Sequence, residues 1–199
     1  MTAATAATAG LLRTEAVDIL AAAREDMLSL VTMQAVEPWN ALGQADDRNF
    51  NVTGCMGSAA AIGYGLALAR PQDRVLVLDG DGSLLMQLAS LVSVADLAPR
   101  NLYHIVFENG IYETSGGQSV PGRQVADLAG IAQASGYRHV RRYDSPDGMR
   151  ADLGQTLRLD GPVLVSLAIS GPGVVPVAAT EVAGKPVQIQ SMRAALAGR

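Results

Sequence analysis

Arg74-Val75-Leu76-Val77-Leu78-Asp79-Gly80-Asp81-Gly82-Ser83 runs from an apolar strand into an aspartate bracketed by glycines. Leu84-Leu85-Met86-Gln87-Leu88 follows, with the spacing of a helix. A strand with no polar alternation is buried on both faces, as in a parallel sheet. The turn after it lies at the strand's carboxyl end, where open α/β sheets bind ligands. Gly80 and Gly82 let the backbone come close to a ligand. Free N–H groups at a helix start suit phosphate, yet the Asp81 carboxylate would repel it. A divalent cation between them removes the conflict. Mg²⁺ takes octahedral oxygen coordination, usually one or two protein groups plus phosphate oxygens and water.

A second oxygen ligand should come from a neighbouring strand end. Asn109 follows Asn101–Glu108, the next apolar strand, and 26 residues separate it from Gly82. That span is one helix plus one strand, the length that returns a chain to the same edge of a parallel sheet. Gly110 lets the chain turn and offer the carbonyl of Ile111. The expected metal set is therefore Asp81, Asn109, the Ile111 carbonyl, two phosphate oxygens and water. Asp81 and Asn109 also suit a helix cap and a turn, which is the competing reading. A dinucleotide-binding reading is weaker, because Leu85 stands where the third glycine of its fingerprint belongs. Ser83 lacks the G-x-S-x-G context of a hydrolase nucleophile.

Helical and strand patterns alternate outward from this stretch. Helices are expected over Glu15–Arg24 with Thr14 as N-cap, Met56–Ala69, Leu84–Leu97, Val125–Ala134 and Asp147–Leu159. Strands are expected over Leu28–Met33, Arg74–Asp79, Asn101–Glu108, Tyr137–Arg142 and Pro162–Ile169. The order predicts an α/β fold, an open and mainly parallel sheet flanked by helices on both faces. The small residues Gly57, Ala60, Ala61, Gly63 and Gly65 imply a helix packed closely on its neighbour. The expected organisation is a disordered tail over 1–12, a domain over 13–170 and an extension over 171–199 with a helix at Gln188–Ala197.

Composition narrows the function. Among 199 residues, fifteen Lys and Arg face nineteen Asp and Glu, so no basic stripe for nucleic acid is expected. The charged share of 17% is below the usual value of about 25%, which suggests that a partner covers part of the surface. A single Cys permits no internal disulfide and suggests a reducing, cytoplasmic setting. Two His and one Cys make a zinc site improbable. No apolar stretch reaches the ~18 residues of a membrane span. The Ala/Thr-rich start has no basic n-region and is not read as a signal peptide. Cys55 is expected to be a small buried filler and His104 a core residue.

Gly80-Asp81-Gly82-Ser83, the spacer and Asn109 resemble the diphosphate–Mg²⁺ motif of thiamine diphosphate enzymes. The resemblance extends to Val52-Thr53-Gly54-Cys55-Met56-Gly57-Ser58, Gly65–Pro71, Glu108-Asn109-Gly110 and Thr114-Ser115-Gly116-Gly117-Gln118. Together these look like the sulfopyruvate and phosphonopyruvate decarboxylase group, well over roughly Arg48–Gly122 and weakly to about Ile169. The resemblance implies that Met56 props the cofactor in its bent form and that the Gly54 carbonyl accepts from its aminopyrimidine. It implies that Ser83 and the Gly82 backbone hold diphosphate oxygens, and that Gly80 and Tyr112 also belong to the cofactor-binding set. Tyr112 and Glu113 would border the site, and Ser115, Gly116 and Gln118 would lie over the thiazolium and touch substrate.

In this family the cofactor is activated by a glutamate on a separate pyrimidine-binding domain. The resemblance therefore implies the diphosphate-binding subunit of a heteromeric 2-oxoacid decarboxylase, with an α-type partner of similar length supplying the Glu, in two copies of each chain or more. A carboligase of the acetolactate synthase type, or a non-catalytic cofactor-binding homologue, shares the same residues. Relatives that process phosphonates and sulfonates carry Thr-Gly and Arg-Glu-Leu after the first strand. Thr32–Trp39 here lacks that glycine and arginine, which puts such anionic substrates in doubt and leaves Trp39 as a possible apolar contact.

Overall fold

Leu76 and Leu78 point to one side of the sheet, and Val75 and Val77 to the other. The same period of two separates Tyr103, Ile105 and Phe107 from Leu102 and Val106. Each strand thus feeds two cores, and helices must cover both faces. The structure, a computed structural model, describes residues 10–44, 46–170 and 184–197.

The chain runs through α1 (Arg13–Ala23), β1 (Leu28–Thr32), α2 (Val36–Ala41), β2 (Asn49–Val52), α3 (Ala59–Ala69) and β3 (Val75–Gly80). It continues through α4 (Asp81–Met86), α5 (Ser90–Leu97), β4 (Leu102–Glu108), β5 (Ile111–Tyr112) and β6 (Gln118–Ser119). It ends through α6 (Leu128–Ser135), β7 (His139–Tyr143), α7 (Pro146–Thr156), β8 (Val163–Ala168) and α8 (Lys185–Ala197). Six parallel strands form a sheet in the order β2-β1-β3-β4-β8-β7, and β5 and β6 make a small antiparallel pair. One core joins α1, α2 and α7 to the sheet through Val17, Leu20, Trp39 and Leu153. The other joins α3, α5 and α6 through Ala67, Leu91, Val94 and Ala132. The expected fold class is present. From β1 the chain steps first to β2 on one side and later to β3 on the other, so the direction of winding changes between β1 and β3. A crevice opens at such a point.

Several local expectations are corrected. Helix α1 starts at Arg13, so Leu12 and not Thr14 is its N-cap, and the Leu12 N–H donates to the Glu15 carboxylate at 3.2 Å. Residues 1–9 of the expected tail lie outside the described residues, but its inner end is part of the domain. Leu11 is fully buried, and it pairs in parallel with Ile169. Its N–H donates to the Asp144 carbonyl at 3.0 Å. The helix expected over Leu84–Leu97 is two helices. The turn before α3 packs against the break, where a Cβ on Gly57 would stand 3.1 Å from the Gln87 Cβ. Helix α6 starts at Leu128, and Val125 is left exposed.

Strand β2 was not expected. It is short and polar, and buried amides build it. Asn49 Oδ1 accepts from Ser29 Oγ at 2.7 Å and from Trp39 Nε1 at 3.1 Å. Asn51 donates through Nδ2 to Asn40 Oδ1 at 3.2 Å. Trp39 is therefore a core residue anchored through its indole N–H, not a substrate contact. Within the extension over 171–199, residues 171–183 lie outside the described residues. The expected terminal helix is present as α8, which packs on β2. Gln188 accepts from the Asn51 N–H at 3.0 Å, and Lys185 Nζ donates to the Thr53 carbonyl.

Candidate cofactor-binding site

Three strand ends meet at the crevice. The cavity there is lined by Thr32–Ala35 after β1, Asp79–Ser83 after β3, and Phe107, Asn109 and 111–114 after β4, with Met56 and Arg13 closing it. The residues named by spacing and by the family resemblance thus converge: Asp81, Asn109, Ile111, Tyr112, Met56, Gly80, Gly82 and Ser83 share one cavity.

Asp81 opens α4 and is buried. Its Oδ1 accepts from the Gly82 N–H and its Oδ2 from the Gly110 N–H, each at 2.7 Å. Burial pushes its carboxyl above the usual range, against those backbone hydrogen bonds, and the negative charge of Glu113 adds to the rise. Asn109 is fixed at both ends of its amide. Oδ1 accepts from the Ile111 N–H at 3.1 Å, and Nδ2 donates to Glu113 Oε1 at 2.6 Å. Ser83 is buried, and its Oγ accepts from the Gly57 N–H at 3.0 Å, so the hydroxyl hydrogen stays available. Gly82 has no room for a side chain, since a Cβ would overlap the Tyr112 ring.

Other residues stand apart from the cavity wall. Gly54 lies in the turn after β2 with φ of +76°, a left-handed conformation open to glycine. Ser115, Gly116 and Gln118 form an exposed loop beyond Thr114, where Ser115 Oγ donates to Gln118 Oε1 at 3.4 Å. Cys55 is exposed, which corrects the expected burial, because the turn holding it turns outward. His104 is buried beneath the site, and its Nε2 lies 3.3 Å from Asp79 Oδ2, in keeping with a core role.

Two contributors were given no role by the sequence. Arg13 arrives from α1 and pairs with Glu113, 100 residues away. Met33 lines the cavity with φ of +54°, a conformation uncommon outside glycine that clusters at ligand sites. On the far side of Asp81 a second cavity is lined by Leu85, Glu108, Val120 and Arg123. Glu108 accepts there from Ser166 Oγ at 2.6 Å, and burial raises its carboxyl.

The donor set fits a shared cation. Among the described residues no three His, Cys, Asp or Glu side chains gather into a metal site of their own. Asp81, Asn109 and Ile111 could supply three oxygens, so an octahedral ion would need the rest from a ligand. Glu113 Oε2 is buried without a partner beside Asp81, and positive charge there would relieve both carboxylates.

An open parallel sheet with a cavity at its winding switch, lined by a buried acid and a paired amide, is the architecture of a ligand-binding α/β domain. The sequence matches, over residues 31–167, the family described as thiamine pyrophosphate enzyme, C-terminal TPP binding domain, and the chain belongs to that family. It is 47% identical over 123 residues to a phosphonopyruvate decarboxylase of Streptomyces viridochromogenes, covering 62% of this chain and 30% of that protein. It is 39% identical over 122 residues to the sulfopyruvate decarboxylase subunit beta of Methanothermobacter thermautotrophicus, covering 61% of this chain and 62% of that one. The aligned region thus spans under two thirds of either relative. The solved thiamine diphosphate-dependent 4-hydroxybenzoylformate decarboxylase of Rhodococcus jostii RHA1 has the same fold, with a TM-score of 0.65 at 20% identity over 87% of this chain and 35% of that one.

Proposed function

We propose that this chain binds thiamine diphosphate with Mg²⁺ as the diphosphate-binding subunit of a heteromeric, cytoplasmic 2-oxoacid decarboxylase. The observation that carries this reading is the convergence of Asp81, Asn109 and Ile111 in one cavity with Met56 and Ser83. Asp81, the Asn109 Oδ1 and the Ile111 carbonyl would hold the metal. The Ser83 hydroxyl and the Gly82 backbone would hold diphosphate oxygens, with Gly80 at the turn. Met56 would support the thiazolium, and the Gly54 carbonyl would accept from the aminopyrimidine. Bound thiamine diphosphate supplies an electron sink for the carbanion that decarboxylation leaves.

The protein's share is orientation and exclusion of water. Gly82 must lack a side chain so that Tyr112 can close the cavity. Met33–Ala35, after β1, and the loop with Ser115, Gly116 and Gln118 are where a substrate would meet this chain. The activating glutamate would come from a pyrimidine-domain partner. The match to a protein named as a subunit supports that arrangement. So do exposed apolar side chains at Ile62, Met86 and Val92, which a covering chain would bury.

The test is to mix the chain with the product of the neighbouring gene and measure CO₂ release from pyruvate, phosphonopyruvate and sulfopyruvate. Release with thiamine diphosphate and Mg²⁺ is expected, with an aldehyde as the product. An acyloin product would mean carboligation, and no turnover of any 2-oxoacid would leave a non-catalytic binding homologue. Asp81→Ala should abolish Mg²⁺-dependent cofactor binding in calorimetry while circular dichroism stays unchanged. Unaltered affinity in that variant would overturn the metal assignment.

A further inference from the structure

Glu113 sits on the loop expected to meet substrate, yet its side chain is 1% exposed. Its Oε1 is occupied twice. It accepts from Asn109 Nδ2 at 2.6 Å, and it pairs with the guanidinium of Arg13. Its Oε2 is enclosed at the cavity wall without a partner. A carboxylate held this way cannot swing out to a substrate, but it can control an amide.

An ionised carboxylate only accepts hydrogen bonds. Asn109 must therefore turn Nδ2 toward Glu113, and its Oδ1 is left facing the Ile111 N–H. Carbonyl oxygens carry two lone pairs, so Oδ1 keeps one for a cation. Arg13 holds Glu113 in turn. Arg13 is the first residue of α1, and the chain before it is tied down by the Leu11–Ile169 bridge.

We propose that Glu113 is a positioning residue that locks the Asn109 amide with Oδ1 toward the metal, and that Arg13 makes helix α1 part of cofactor loading. This rests on the thiamine diphosphate–Mg²⁺ reading. Outer-shell partners of metal ligands typically govern about 10–100-fold in metal affinity.

The experiment titrates Mg²⁺ into the full chain with saturating thiamine diphosphate, reading binding by calorimetry. In parallel, NMR follows the Asn109 side-chain amide without cofactor, assigned by its loss in Asn109→Asp. Glu113→Ala and Arg13→Met should raise the half-saturating Mg²⁺ concentration by about tenfold or more. Glu113→Gln, which keeps an acceptor but no longer dictates the amide's orientation, should give a smaller rise. The Asn109 amide protons should exchange slowly in the wild type and quickly in Glu113→Ala, with melting temperatures close to the wild type. Wild-type Mg²⁺ dependence in both Glu113→Ala and Arg13→Met would overturn the proposal. If the wild type binds no cofactor, the functional reading fails by itself, and the proposed loading role goes with it. Unchanged Asn109 exchange in Glu113→Ala would show instead that the lock is absent, whatever the cofactor does.

Discussion

That Asp81 and Asn109 meet at one cavity was legible because it follows from residue type and spacing: an acid between glycines at one strand end, an amide at the next. Glu113 was placed at the site by resemblance, but Arg13 and the pair it makes with Glu113 were not legible, because partners 100 positions apart leave no periodic trace. Asp73 shows the same limit away from the site. It is buried between α3 and β3, and it accepts from Arg48 Nη2 and Arg70 Nε at 2.9 Å each. Burial works to raise its carboxyl, but the two guanidinium hydrogen bonds outweigh that and hold it below the usual range. The charged form is thus favoured in the folded state. Its contribution is complete at neutral pH and is lost as pH falls below 3.8 through the lower folded value. Asp73→Asn should cost about 2 kcal/mol at pH 7 and lower the melting temperature by roughly 4–8 °C. Thermal melts of both proteins should converge as pH falls below 3.8. A gap that stays constant into acid would show that the charge is not what stabilises the loop.

At the scale of elements, the long apolar strands were read correctly because burial on both faces leaves an unbroken apolar run. Strand β2 escaped because its stability comes from side-chain amides, Asn49 and Asn51, which a propensity reading assigns to turns. The break between α4 and α5 escaped because it is made by a tertiary contact with Gly57. Helix α3 was legible through its small residues, and the reason for them is now specific. A Cβ on Gly63 would lie well inside van der Waals contact distance of the buried Val77 Cγ2. Alanine improves helix propensity by about 1 kcal/mol, but overpacking costs about 1–3 kcal/mol. Gly63→Ala should therefore destabilise the fold on balance, with a melting temperature lower by about 2–6 °C in calorimetry. A rise would mean that α3 can lift from β3 at no cost.

The whole molecule is organised so that its cavity gathers residues from three strand ends, a distant helix and a loop, while the fold itself needs only the two cores. That division explains why the architecture could be read from patterns and the cavity wall only in part. It also assigns α8 a role, since Gln188 satisfies the Asn51 N–H on the outer side of β2. Removing residues 184–199 should leave that N–H bare and raise light scattering on concentration, with little change in the strand content seen by circular dichroism. An equally soluble truncated protein would show that α8 only decorates the surface. The other margin of the sheet, β7, carries the exposed Arg142 and half-exposed Arg141, charges that discourage a docking strand. Both lateral borders of the sheet are thus finished, one by a helix and one by charge. Side-to-side lengthening of the sheet is thereby disfavoured, so the helical faces and the rim where β1, β3 and β4 end are the surfaces that a partner chain would meet.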